Sequence, residues 1–207
     1  MIIDIDFQRN NKTIFTGTGM AGFVGVFNGM VSGEKGWSVS LDARGKGGKL
    51  LPNLIQALLH KSMTPCQHIR KVLETGTDYH GAVSADTGLG AADMIDEAYF
   101  IVAGASGSDG GVMTRDRNDV KDFWGLNASD PDGWFRLQTN YDHWNPVPKA
   151  DDRRTPGVAH MKAMGESGVD EKALLAIMEM YPTFNFHTDY TAIMDPATGL
   201  YDSGVWL

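Results

Sequence analysis

Ile3, Ile5 and Phe7 alternate with Asp4, Asp6 and Gln8, and the run stops at Asn10-Asn11 before TIFTGT begins. Alternation with period two gives a strand one apolar face, and an asparagine pair suits the tight turn of a hairpin. After a glycine-rich bend, residues 23–27 and 37–41 read as two further strands. Strands that arrive as hairpins pair antiparallel, whereas parallel neighbours need a long crossover between them.

Helical spacing then takes over. Leu51, Leu54, Ile55, Leu58 and Leu59 fall on one face, with Pro52 in the first turn. Thr64-Pro65 is a cap followed by proline, and it opens a second helix whose inward positions are Ile69, Val72 and Leu73. A third, weaker helix spans about residues 77–85. Strand patterns return in AYFIVAG, GVMTRDR, VKDFWGL and WFRLQTN. Thr155-Pro156 starts another helix, Gly165 stops it, and Leu174, Ile177, Met178 and Tyr181 mark one more that ends at Pro182. HTDYTAIMD and LYDSGVW read as closing strands. Blocks of strands and blocks of helices predict an α+β fold of antiparallel sheets covered by helices, with residues 1–207 forming a single domain.

Composition narrows the function. A net charge of −8 and scattered basic residues argue against a nucleic-acid partner, whose phosphates need a clustered basic surface. Apolar runs are too short for a membrane span, and the acidic residues in MIIDIDFQRNNK do not fit a signal peptide. One cysteine, Cys66, excludes an internal disulfide framework and a cysteine-rich zinc site. The six histidines show no ligand spacing, and no cofactor or metal is expected.

Several motifs invite chemistry and are better explained otherwise. Gly17-Thr18-Gly19-Met20-Ala21-Gly22 matches a dinucleotide fingerprint, but it runs into FVGVFNGMVSG, where no helix N-terminus is expected to receive a pyrophosphate. Close strand packing is the alternative. Cys66 lies in the first turn of a predicted helix, yet His68 at i+2 points to another face and no acid orients it; a structural role is expected. Asp130-Pro131-Asp132-Gly133 is turn chemistry rather than a calcium loop. Arg115 and Arg117 share a strand face, an arrangement that usually makes surface ion pairs.

The stretch TNYDHWNPVPKADDRRTP is different: its three prolines mark a loop, yet it is crowded with polar and aromatic groups. Asn140 follows WFRLQT, so a strand end could aim its side-chain NH₂ at a developing oxyanion. The competing reading is that these residues satisfy one another and the loop backbone.

Here the sequence resembles the acid ceramidase and N-acylethanolamine-hydrolysing acid amidase family. The resemblance rests on T-N-Y-D-H-W followed by D-D-R-R-T-P, with FTGT, G-F-V-G, the Tyr99-to-Gly104 strand and G-V-M-T-R-D-R in the same order. It implies an N-terminal-nucleophile hydrolase, an αββα four-layer sandwich with two antiparallel sheets, here incomplete at the N-terminus and covering most of the catalytic (β) subunit. In that family a cysteine freed by autocatalytic cleavage attacks a lipid amide, with its own α-amine as general base. The resemblance makes Asn140 the oxyanion-stabilising asparagine, Arg153 an arginine that shapes the site, and Phe27 and Tyr141 candidates for substrate contact. It also implies a lysosomal or secreted setting and a lipid amide substrate.

Two departures accompany the resemblance. Ala43 stands where relatives carry a glutamate, and the cysteine with its G-R-x-x-D-like motif belongs to a segment preceding this one. The expected partner is therefore an N-terminal segment or α chain of the same precursor. The alternatives are a non-catalytic lipid-binding relative, a fragment without activity, or an amidase for bile-acid or penicillin-like amides.

Overall fold

The computed structural model describes residues 1–45 and 49–206. Its main sheet has seven antiparallel strands in chain order: β1 (Ile2–Arg9), β2 (Lys12–Met20), β3 (Asn28–Val31), β4 (Trp37–Ala43), β5 (Ala98–Gly104), β6 (Gly110–Arg115) and β7 (Val120–Gly125). Asn10 and Asn11 turn β1 into β2 with φ of 53° and 60°, the left-handed pair that matches the twist of a two-residue hairpin. A separate antiparallel ribbon joins β8 (Tyr190–Asp195) to β9 (Leu200–Val205). The α+β architecture with two antiparallel sheets expected from the hairpin pattern is thus observed.

The helical block between β4 and β5 holds α1 (Leu50–Leu58), α2 (Pro65–Thr75) and the single turn α3 (Tyr79–Ala82). Thr64 and Gln67 cap α2 reciprocally: Thr64 Oγ1 accepts from the Gln67 amide at 3.2 Å, and Gln67 Oε1 accepts from the Thr64 amide at 3.0 Å. Ile69, Val72 and Leu73 then lie on one face and pack with Phe15, Trp37, Val39 and Phe100 in the core. The apolar stripe of α1 behaves otherwise. Leu51, Leu54, Ile55, Leu58 and Leu59 stay exposed, and the buried residue of that helix is Gln56, bonded to Asn118 and Ser62.

The opposite face of the sheet is more polar, because the residues alternating with the core positions include Thr18, Asn28 and Ser38. The ribbon covers it. Tyr201 meets Thr18 at 2.7 Å and receives a bond from Asn28 Nδ2 at 2.8 Å, while the Tyr190 hydroxyl donates to Asn28 Oδ1 at 2.5 Å. Near the ribbon, α5 (Glu171–Met178) packs against β8 and against α4 (Arg154–Met164).

Three strand expectations need correction. Residues 23–27 form a bend; the ladder begins at Asn28, and the Phe23 and Phe27 rings stack with centroids 5.8 Å apart. The WFRLQTN segment joins no ladder. It follows a turn at residues 131–134 and is held by Arg136, whose guanidinium donates to the carbonyls of Gly125, Gly133 and Phe135. Arg115 is not a surface residue but is wholly buried, donating to the carbonyls of Leu89, Ala92 and Asp119. Arg117 does form ion pairs, with Glu97 at 2.6 Å and Asp96 at 3.6 Å. The glycine-rich motif is strand and turn: Gly17 and Gly19 lie within β2 and Gly22 has φ of 84°. No helix starts there, so the pyrophosphate reading lapses.

Cys66 and His68 are both buried in α2. Burial pushes the thiol up to about 11, consistent with a structural cysteine. Burial also pushes the His68 imidazole down to about 4, with Arg115 and Lys71 acting in the same direction against its bond to the Leu89 carbonyl. The unfolded chain binds a proton at this histidine below its ordinary value of 6.5 while the folded chain stays neutral. Stability therefore falls as pH drops through that window. From pH 7.5 to 4.5 the loss from this group is about 2–3 kcal/mol. Urea denaturation of His68→Leu at the two pH values should show a correspondingly flatter dependence; an unchanged slope would rule this group out as the cause.

Candidate functional site

The TNYDHW loop lies across the ends of β4 and β5, on the face opposite the core. Asp42 and Tyr99 are directly opposed in the ladder, and Arg44 follows Asp42 by two residues, so all three side chains leave the same side. The loop matches that spacing. Asn140 Nδ2 donates to Asp42 Oδ1 at 2.5 Å, and Asp142 receives Arg44 Nε at 2.8 Å, Arg44 Nη2 at 3.1 Å and the Tyr99 hydroxyl at 2.7 Å. Among the described residues one backbone bond, Gly45 N to Asn140 O at 3.2 Å, joins the two segments.

Asn140 is held at both ends. Its nitrogen also donates to the Ala43 carbonyl at 3.0 Å, and its oxygen accepts from Arg153 Nη2 at 2.6 Å. Arg153 is in turn steered by Asp151, which accepts from Nε at 2.8 Å and from Nη2 at 3.0 Å. The D-D-R-R run divides its labour. Asp152 accepts from the Thr155 amide at 2.9 Å just ahead of α4, whose N-cap is Arg153 rather than the expected Thr155. Arg154 clamps the loop, donating to the carbonyls of Tyr141, Asp142, His143 and Asn145 with its guanidinium 4.2 Å over the Tyr141 ring. His143 donates to Asp122 at 2.9 Å and stacks on Trp124 at 4.3 Å.

These contacts set the charges. Burial pushes the Asp42 carboxyl up to about 6, against the pull of Arg153 and the bonds from Ala43 and Asn140. Asp142 is also partly desolvated, but Arg44 and Tyr99 hold it below the usual carboxylate range. Asp151 keeps Arg153 firmly protonated. Two openings adjoin the cluster. A polar one of about 240 Å³ is lined by Arg44, Glu97, Tyr99, Asn140 and Tyr141, and one of about 540 Å³ runs from Arg153 and Lys149 to the exposed rings of Tyr181 and Phe186. Among the described residues, no cluster of histidine, cysteine and acidic side chains could hold a metal ion, and no helix is long and apolar enough to cross a membrane.

No family model matches the chain. Individual proteins do. It is 38% identical over 194 residues to the N-acylethanolamine-hydrolyzing acid amidase of Rattus norvegicus, covering 94% of this chain and 52% of that protein. It is 32% identical over 207 residues to the acid ceramidase of Homo sapiens, covering 98% of this chain and 50% of that protein. The solved structure of the Caenorhabditis elegans N-acylethanolamine-hydrolyzing acid amidase ortholog superposes with a TM-score of 0.79 at 27% identity, over all of this chain and 87% of that one. The chain is homologous to these acid amidases and acid ceramidases over nearly its whole length. It spans about half the length of the curated relatives it matches.

Of the acid amidase-like site residues expected from sequence, Asn140 and Arg153 are in direct contact and Tyr141 is their neighbour. The Tyr141 hydroxyl is buried and has no hydrogen-bond partner among the described residues. Phe27 stands apart from this hydrogen-bonded cluster: it pairs with Phe23, and its backbone bonds run to Thr18 and Leu41. Asp42, Arg44 and Tyr99 are not among the site residues expected from sequence, and Arg154 enters there only as part of the D-D-R-R run that could lock Asn140. The i, i+2 spacing of Asp42 and Arg44 on a predicted strand was the available signal, matching the two-residue spacing of Asn140 and Asp142.

Proposed function

We propose that this chain carries the oxyanion-binding half of an amidase that hydrolyses N-acyl lipids, ceramides or N-acylethanolamines, to fatty acid and amine. The observation that carries the reading is Asn140, gripped at both ends of its amide on the polar sheet face of a chain homologous to acid amidases along nearly its whole length. Attack on an amide carbonyl concentrates negative charge on its oxygen, and a preset N–H donor lowers that barrier. Asn140 is the donor, and Arg153 fixes it and adds positive charge. Both amide protons are engaged by Asp42 and Ala43, so serving a substrate oxygen requires one of those bonds to yield. Tyr141, whose hydroxyl has no partner among the described residues, and Phe27 are the proposed substrate contacts.

The nucleophile in this reading is a cysteine freed at the N-terminus of the catalytic (β) subunit, with an α chain of the same precursor as partner, since Cys66 is internal, buried and not acidic. Residues 1–207 act together as one domain, and the setting is lysosomal or secreted. That buried Cys66 equally supports a second reading, a lipid-binding relative without turnover.

The test is to produce the chain continuous with the coding region that precedes it in its parent. Fatty-acid release from an N-acylethanolamine and from a ceramide is then followed at acid pH. Release that disappears when the junction cysteine is changed to alanine is the expected result. Lipid binding with no release under any processing condition would establish the second reading instead.

A further inference from the structure

We propose that Asp42 is a positioning residue of this site: its carboxylate holds the Asn140 amide by the nitrogen while Arg153 holds it by the oxygen, so the sheet sets the direction of the donor. The proposal deepens the reading of Asn140 as an oxyanion donor and rests on it.

The argument begins with the shape of an amide. Its oxygen and nitrogen ends are nearly identical in size, so only the partners decide which way it faces. An ionised carboxylate only accepts and a guanidinium only donates. Asp42 and Arg153, placed at opposite ends of Asn140, therefore leave one orientation with both bonds made. A neutral partner in place of Arg153 removes that discrimination, whereas Arg153, which only donates, keeps the oxygen end in place when Asp42 is protonated. The placement is also built from both sides. Asp42 sits on a laddered strand opposite Tyr99, and the neighbouring Asp142–Arg44 pair fixes the loop two residues further on. The loop itself has no ladder, so these side-chain bonds and the Arg154 clamp are what register it.

The same arrangement makes the donor responsive to one proton. With Asp42 ionised, both N–H groups of Asn140 are occupied. When Asp42 takes up a proton it becomes a weaker acceptor, and the N–H facing it is freed for a substrate oxygen. The charged groups facing Asp42 come from the turn before α4: Arg153, which favours the carboxylate, and Asp151, which opposes it. On its own strand Arg44 is taken up by Asp142 and Asp116, and Tyr99 opposite is taken up by Asp142. Burial outweighs these charges, and the changeover falls at about pH 6.

The experiment uses the full chain, isotope-labelled, with the side-chain amide signals followed by NMR through a titration from pH 4.5 to 7.5. The Asn140 pair is assigned by its loss in Asn140→Ser. It is expected to shift with a midpoint near 6, and the Asp42 carboxyl carbon of the native chain is expected to give the same midpoint. In Asp42→Asn the Asn140 pair should no longer titrate, and Asp42→Glu should restore a titration. An Asn140 pair that is flat with pH in the native chain, or that titrates unchanged in Asp42→Asn, overturns the proposal. The native-chain comparison of the two midpoints holds even where a variant fails to fold. None of these signals depends on turnover. Failure of this clamp is therefore read separately from failure of the amidase reading.

Discussion

Asn140→Ala, introduced into the proposed amidase with its nucleophile-bearing segment present, is expected to lower kcat about a hundredfold, the size of effect seen when one preset oxyanion donor is removed. The effect belongs in kcat because the charge that the amide meets is larger in the tetrahedral intermediate than in the bound substrate. Alanine also leaves Asp42 Oδ1 and Arg153 Nη2 each without a partner they now have. A loss of about 1–2 kcal/mol in stability should therefore accompany the kinetic change. The two effects separate on measurement. A lowered Tm with kcat unchanged would reduce Asn140 to a strut and remove it from the chemistry. A hundredfold fall in kcat with KM nearly constant, in protein that still melts cooperatively, is the expected pattern.

The largest stability effect is expected at Arg115. Its guanidinium reaches three carbonyls, of Leu89, Ala92 and Asp119, from a position with no solvent exposure. Those carbonyls belong to segments that form no ladder of their own; Leu89 is also met by His68 and Asp119 by the Asp116 amide, so among the described residues the Ala92 carbonyl depends on the arginine alone. Methionine fills much of the same volume and donates nothing. Arg115→Met should cost about 3 kcal/mol, from three charge-assisted bonds lost and the Ala92 carbonyl left unpaired, less the desolvation no longer spent on the cation. Arg115→Lys should fall between, because one ammonium cannot span the fork of a guanidinium. Urea denaturation at neutral pH measures both, and a loss below about 1 kcal/mol for the methionine variant would mean that other donors or water replace the arginine.

Much of the architecture was legible because it depends on local pattern. Alternation in β1 and the Asn10-Asn11 turn specify a hairpin without reference to the rest of the chain, and Thr64-Pro65 specifies the start of α2. The errors share one physical origin. Alternation says which face of an extended segment is apolar, but not whether a neighbour has free backbone groups to pair with it. WFRLQTN has strand composition and remains unladdered, secured by Arg136 instead. Arg115 reads as a surface cation because sequence does not reveal that loop carbonyls converge on it. The site divides in the same way. TNYDHW and DDRR mark where its polar groups lie, but Asp42 is separated from Asn140 by the whole helical block and the three strands after it. Only the ladder and the returning loop bring them together.

The strand order carries a further consequence, for the sequence of events in folding. Every neighbouring pair in the main sheet is linked by a short turn or bend except β4 and β5, between which the whole helical block intervenes. Closing that seam costs more loop entropy than zipping any hairpin, and long-range pairings of this kind are slow. Asp42 and Tyr99 face each other across it. The site is therefore expected to be among the last features to form. In pulse-labelled refolding, amides across β4–β5 should gain protection after those across β1–β2; simultaneous protection would contradict this order. A chain built so that its functional corner waits for the helices to dock cannot present that corner while still partly folded.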